Sequence, residues 1–480
     1  MEKMHRVLIM RCDTYDADRI AGIVREGMAE LNVRPKGRIL LKPNVVIAHP
    51  ELFPHAFTRK EFLDGVISAV KARAESPREI AVGERSGITL PTRWTFKNAG
   101  YPKIIRKHQI KAHYFDEERQ TSVALKKGGR LRDTVFVPES IARTDFFINL
   151  PKFKAHPWCR LTLSLKNYIG IQDDRHRLVD HNIFLERKIA DLQEVIQPKF
   201  IAIDAIEAGQ KMMLTPTPFA MGAIVMGTNS CAVDTVGCHM VHVDPKDLIH
   251  LRLTAERGFG PMDLESIDVG GDFPLESVRE KTRDFEFCLE HVDSYFRERG
   301  NLSCTVGTFP AKHSPDYCWG GCPGALQEAI HIYKSYFPDI TRDLKKVRYV
   351  VGQVNEPLDL DPDERVIFAG DCTTWQGKID GEDVRIESAY RPPGAVDEQK
   401  TQSNDLLLKT FQTLWACFRQ RKKRYIHARG CPVSVSAHVH YLSAIGKVPN
   451  VNFVGKIIVP LNIAYWQMRM NRLLNRLRRR

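Results

Sequence analysis

The chain has 480 residues, 43% of them hydrophobic, with 71 Lys and Arg against 58 Asp and Glu, a formal charge of +13. That length exceeds one ordinary domain, and that apolar content excludes a globally disordered chain. The first apolar run, VLIM, stops at Arg11, and the late run 454–466 is broken by Lys456, Pro460 and Asn462. Neither suits a secretory signal or a membrane helix of about 20 residues, so a cytoplasmic protein with reduced cysteines is expected.

Short apolar runs at 38–41, 79–82, 146–150, 200–203 and 223–226 read as strands, and 59–74 and 184–195 read as helices. The alternation predicts an α/β fold, a mostly parallel sheet flanked by helices, over residues 1–290. In such sheets functional residues collect just past the strand C-termini. Here those places hold Lys42 and Asn44 after RILL, Glu84 after EIAV, Lys152, Lys154 and His156 after FFINL, and Asp204 after FIAI.

The lysines, with Lys166, form a basic constellation suited to a carboxylate or phosphate, and a desolvated lysine can act as a base. Lys154, His156, Lys166 and Asp204 are the catalytic candidates, and Lys42, Asn44, Glu84 and Lys152 the substrate-binding ones. Arg85 or the lysines can neutralise Glu84. Glu207 and Asp234 are further acids, Asp234 equally a helix cap. His176 and His181 lie in a polar loop. His239 and His242, three apart, suit a metal at helical spacing but more often serve packing.

Beyond residue 290 a second, smaller α/β domain is expected over 291–458. It has a helix at 325–336, strands at 347–354 and 365–369, a polar Pro-rich loop at 391–404, a helix at 406–418 and a short helix after Pro432. The basic run RQRKKR at 419–424 and a basic amphipathic tail at 459–480 suit an acidic partner or a peripheral membrane contact. Recognition of specific nucleic acid is not expected, because there is no RNA-module signature and little aromatic interleaving.

The first 290 residues resemble the domain of unknown function 362 family. The resemblance rests on LLKPN at 40–44, AVGERSG at 81–87, NLPKFKAH at 149–156, LSLKNYIGI at 163–171, AIDAIEA at 202–208 and CAVDTVG at 231–237. It departs after the aspartate strand, where EAGQKMMLTPTP replaces the EGNGP-type turn common in the family. The resemblance implies an α/β domain frequently joined to iron–sulfur cysteines, without a settled reaction.

Four cysteines fit that second part. Cys318 and Cys322 flank Trp-Gly-Gly, Cys372 follows a strand, and Gly-Cys-Pro occurs at both Cys322 and Cys431. Gly admits a cofactor close to the backbone, and Pro opens a helix whose dipole favours thiolate. One C-x3-C pair with two distant cysteines fits an iron–sulfur cluster, 4Fe-4S, better than zinc, which favours two tight pairs. The expected function is an iron–sulfur protein acting on a small anionic substrate, by redox chemistry drawing on an electron donor, or as a lyase or isomerase. The alternative is a non-catalytic scaffold with structural zinc and a docking tail. The oligomeric state is left open.

Overall fold

The computed structural model of the chain describes residues 5–49, 52–87, 90–177, 184–287, 300–309, 311–313, 316–317, 321–389, 411, 414–415 and 418–477. Cys318, His181, the loop at 391–404 and most of the expected helix at 406–418 lie outside the described residues. Two compact units form, the first from residues 1–178, 184–286 and 459–480, the second from 287–458.

The first unit is built on β1 (His5–Arg11), β2 (Lys36–Pro43), β3 (Glu75–Glu84), β4 (Lys111–Tyr114), β5 (Phe146–Leu150), β6 (Lys152–His156), β7 (Phe200–Gln210), β8 (Ala223–Gly227) and β9 (Ile267–Gly270). The sheet order is β9-β1-β8-β7-β5-β2-β3-β4. Only β8 runs against its neighbours on this path; the rest are parallel.

Two helices, α1 (Ala17–Glu30) and α2 (Lys60–Arg73), cover one face. Asp16 caps α1 by accepting the Arg19 N–H at 2.8 Å, which satisfies an orphan donor of the first turn. Ile20, Val24 and Met28 of α1 and Phe62 and Val66 of α2 pack into the same core as Leu41 and Ile148 of the sheet. Alternate strand residues such as Leu40, Phe147 and Ile201 are equally buried on the other face, where α3 (Ser230–Met240) adjoins β8 and β1. Burial on both faces explains why these strands read as continuous apolar runs.

The segment KFKAH departs from the sequence reading. Its sequence reads as a basic constellation just past the strand FFINL, and it does follow β5. What differs is that it forms a strand itself, β6, wholly buried, pairing parallel with β7 so that Lys152 stands opposite Asp204. The counter-charge comes from a strand some fifty residues away and has no local signature.

The second unit carries a parallel sheet in the order β10 (Leu302–Val306), β11 (Val347–Gln353), β12 (Arg365–Ile379), with β14 (Tyr425–Ala428) also parallel to β12. The far half of β12 pairs antiparallel with β13 (Glu382–Ile386). Helices α4 (Gly321–Tyr336) and α5 (Val435–Gly446) share a core with one face through Leu326, Ile330, Val439 and Leu442. Phe368, Trp375 and Val384 fill a second core.

Candidate functional site

The charged residues of the first unit form two buried knots. Lys42 and Glu84 stand at the C-terminal ends of β2 and β3, whereas Lys152 opens β6 and Asp204 lies inside β7. β7 runs on to Gln210 and does not stop before the aspartate as its sequence suggested. In one, Lys42 Nζ lies 2.8 Å from Glu84 Oε2, both side chains shut off from solvent. Burial pulls the Lys42 ammonium down from its ordinary value, against the attraction of Glu84. Burial likewise pushes the Glu84 carboxyl up, against Lys42. The Arg85 N–H donates to Glu84 Oε1 at 2.8 Å. The Arg85 guanidinium points elsewhere, 3.1 Å from Asp174, so Lys42 rather than Arg85 neutralises Glu84.

Three asparagines extend this knot. Lys42 Nζ and Asn44 Nδ2 both donate to Asn167 Oδ1 at 3.1 Å, and Asn167 Nδ2 donates to Asn149 Oδ1 at 2.7 Å. Asn44 Oδ1 is buried with no hydrogen-bond partner. The turn that carries Lys166 and Asn167 is fixed by Asp234, whose carboxylate accepts the N–H groups of Ser164 and Leu165 at 2.8 and 2.9 Å. Asp234 is therefore a cap, but of that turn; its own helix is capped by Asn229. Burial pushes Asp234 up to about 8.

The second knot joins Lys152, Tyr15 and Asp204. Lys152 Nζ lies 3.0 Å from Asp204 Oδ1, both fully buried. It also donates to the Tyr15 hydroxyl at 2.7 Å, which in turn donates to Asp204 Oδ1 at 2.8 Å. The Arg59 N–H occupies Asp204 Oδ2 at 3.0 Å. Burial lowers Lys152 against the pull of Asp204. Burial and the Asp204 charge raise Tyr15 well above its ordinary value, so Tyr15 stays protonated and links the amine to the carboxylate. Beside the knot, half-exposed Glu207 pairs with His55 at 3.1 Å and lies 3.9 Å from Arg59.

Lys154 donates to the carbonyls of Ala56 and Met213 at 2.6 and 3.1 Å. His156 Nδ1 accepts the Trp158 and Cys159 N–H groups at 3.2 and 3.3 Å, which leaves its neutral-state proton on Nε2. Lys166 is half-buried, and burial lowers it. A desolvated amine such as Lys152, against a carboxylate and a hydroxyl, can pass a proton. His176 stands against Phe136 and is pushed down to about 4 by burial. His242 pairs with the Arg279 carbonyl at 2.8 Å.

In the second unit Cys372 does not follow a strand, as its sequence suggested, but lies inside β12. Between Ala369 and Thr374, β12 carries four residues against the single Gly352 of β11, and this bulge holds Cys372. Gly370, at φ +112°, is the pivot: a Cβ there would come 3.0 Å from Cys322 Sγ and 3.8 Å from Cys372 Sγ. Cys322 opens α4 and accepts the Val433 N–H at 3.4 Å. Cys431 lies between Val433 and Gly430, whose N–H donates to Asp371 at 2.9 Å. Among the described residues no three His, Cys, Asp or Glu side chains form a metal-holding group.

Sequence reasoning missed Tyr15, Asn149 and Asn167. Tyr15 follows the strand of VLIM, so the same strand-end rule finds it.

The chain is 23% identical to a thylakoid-associated protein of Synechocystis sp. over 294 residues, 58% of this chain and 86% of the other. Among solved structures, the lactate racemase apoprotein of Thermoanaerobacterium thermosaccharolyticum matches 73% of this chain and 71% of its own at 9% identity and TM-score 0.33. A Thermotoga maritima protein from a structural-genomics consortium matches 76% and 89% at 11% identity and TM-score 0.34. Residues 39–239 match the family described as Domain of unknown function (DUF362), so the N-terminal part of the chain carries a DUF362 domain.

Proposed function

We propose that the chain is an iron–sulfur protein acting on a small anionic substrate. The observation that carries the cofactor is the meeting of the Cys322 and Cys372 sulfurs beside Gly370, where a side chain would intrude. Cys318, Cys322, Cys372 and Cys431 would hold the group. The positive end of α4 and the Val433 N–H favour a thiolate at Cys322. A soft all-thiolate donor set suits a 4Fe-4S cluster ahead of zinc. When bound, such a cluster supplies an electron, drawn from a donor protein, or Lewis acidity for a lyase or isomerase.

The first unit would receive the substrate. Arg59 offers positive charge beside the Lys152–Tyr15–Asp204 knot. Lys152 would pass a proton through Tyr15 to Asp204 and, once neutral, accept one from the substrate, while Lys42, Glu84 and Asn44 hold the neighbouring strand ends in register. Lys154, His156 and Lys166 line the same group of strand ends. The thylakoid association of the cyanobacterial relative supports a place for this chain at a membrane surface, on the cytoplasmic side. No described helix is long and apolar enough to cross a membrane.

Anaerobic purification with iron, acid-labile sulfide and zinc counted per chain tests the reading. About four iron and four sulfide are expected. One zinc without iron would replace it with a structural zinc site, and no metal would overturn it. A second reading, acid–base catalysis by the first unit alone, is favoured by the Lys152–Tyr15–Asp204 knot. It requires that Cys322→Ser leave turnover intact while Lys152→Met abolishes it.

A further inference from the structure

The last helix of the chain, α6 (Gly455–Leu477), wears its polarity inside out. Toward the first unit it turns Ala464, Tyr465 and Met468, all buried, and a polar clamp. Asn471 Nδ2 donates to Glu117 Oε2 at 3.0 Å, Asn475 Nδ2 donates to the Glu117 carbonyl at 3.2 Å, and Arg472 pairs with the Asp116 carbonyl and lies 3.6 Å from Asp174. The opposite side carries Val459, Ile463, Trp466, Met470, Leu473 and Leu477, each between 50% and 64% exposed. Their spacing confines them to an arc of about 80° on a helix of 3.6 residues per turn, a stripe roughly 27 Å long. A surface helix of a globular protein ordinarily buries such a stripe, and a contiguous exposed one marks an interaction site.

Charge selects the occupant. Residues 455–480 hold seven Lys and Arg and no Asp or Glu. Arg469 borders the stripe, with its guanidinium 5.7 Å from the Trp466 ring centre. The 4-3 spacing of the stripe would also suit a coiled coil with a second copy. Two copies, however, would set arginines against arginines with no acid on either helix to pair them. Phosphate headgroups supply that missing negative charge, and the acyl boundary supplies the apolar phase.

We propose that α6 lies in the plane of an anionic lipid bilayer, its apolar stripe at the headgroup–acyl boundary and Arg469 among the phosphates. It lies on the membrane and does not span it. In the second unit Phe411, Leu414, Trp415 and Phe418 are exposed as well, and the RQRKKR run follows directly. The proposal is independent of the chemistry proposed above.

The test is co-sedimentation of the full-length protein with vesicles of mixed phosphatidylglycerol and phosphatidylcholine, against phosphatidylcholine alone. Binding to the anionic vesicles is expected, weakened roughly tenfold on neutral vesicles or in high salt. Ile463→Glu with Trp466→Glu changes only exposed positions and should cut binding by a further order of magnitude or so while the melting temperature stays put. Trp466→Gln is the milder second variant, expected to weaken binding in the same direction. Failure of the folded protein to bind anionic vesicles would overturn the proposal. So would binding that neither variant changes. A dimer abolished by these variants, without vesicle binding, would assign the stripe to a second copy instead.

Discussion

Gly170 lies directly against the carboxylate of Glu84. A Cβ on Gly170 would overlap Glu84 Oε1 and come 2.7 Å from Lys42 Nζ. Neither partner can yield, because each is buried and held by the other at 2.8 Å. Gly170→Ala should therefore break the pair and cost about 3 kcal/mol, the lower end of what losing one partner of a buried ion pair costs. Gly22→Ala is the contrasting substitution. It sits inside α1 with nothing within 4 Å of its added carbon, and should stabilise the protein by up to about 1 kcal/mol through helix propensity. Urea unfolding of both variants checks the pair of expectations. A Gly170→Ala protein as stable as the parent would mean that the strand ends are not locked together in this way.

Lys152 offers a sharper separation of fold from chemistry. Removing its ammonium by Lys152→Met leaves Asp204 buried without its counter-charge, and about 3–5 kcal/mol should be lost. Replacing both partners, Lys152→Met with Asp204→Leu, should recover most of that loss, because two apolar side chains need no counter-charge. Tyr15→Phe removes two hydrogen bonds to buried charged partners and should cost about 3 kcal/mol, and it takes the hydroxyl step out of the proposed relay. A double-mutant cycle in denaturant measures the first two, and turnover, once a substrate is in hand, the third. Full turnover in Tyr15→Phe would remove Tyr15 from the proposed relay.

The architecture was largely legible because its signal is local. RILL, EIAV, FFINL, FIAI and AIVM are continuous apolar runs of the kind that only strands covered on both faces need, and each is a strand. The strand-end rule then found Lys42 and Glu84, whereas Asp204 proves to lie inside its strand. The pairing of these groups was not legible. Lys42 meets a carboxylate forty-two residues on, and Lys152 one fifty-two residues on, through sheet register alone. KFKAH reads as surface charge until β7 is placed beside it. Asp234 illustrates the same limit: a capping residue was foreseeable, but the turn it caps is seventy residues earlier in the chain.

Acid should destabilise both units through histidines that are buried neutral. His250 in the first unit is pushed down to about 3 by burial, with the Lys166 charge acting in the same direction, and neither ring nitrogen has a hydrogen-bond partner. His438 in the second unit is also pushed down to about 3 by burial, beside the Tyr349 ring. An unfolded histidine takes up its proton near pH 6.5, while the folded one resists until about pH 3. The stability each contributes is complete above pH 6.5 and is lost as pH falls toward 3, on the order of 1.4 kcal/mol per pH unit for each residue. His250→Leu should flatten the stability profile of the parent between pH 6 and 4, read by thermal melts across that window. An unchanged slope would show that His250 is not the buried neutral group described.

The cysteines divide into two chemical classes, and the division can be measured. Cys231 and Cys238 lie inside α3, where burial pushes both thiols up and keeps them protonated. Cys322 instead opens a sixteen-residue helix and accepts a backbone N–H, a setting that favours thiolate. Cys322→Ser and Cys372→Ser should lose iron and sulfide, whereas Cys231→Ser and Cys238→Ser should retain both. The most discriminating change removes no sulfur at all. Gly370→Ala adds one carbon 3.0 Å from Cys322 Sγ, at a φ of +112° that an alanine adopts only under strain. It should empty the site as thoroughly as a ligand substitution, by displacing Cys322 and Cys372 from each other. Iron and sulfide counts of this variant equal to the parent's would show that the place beside Gly370 is not where the cofactor sits, even if the protein is rich in iron.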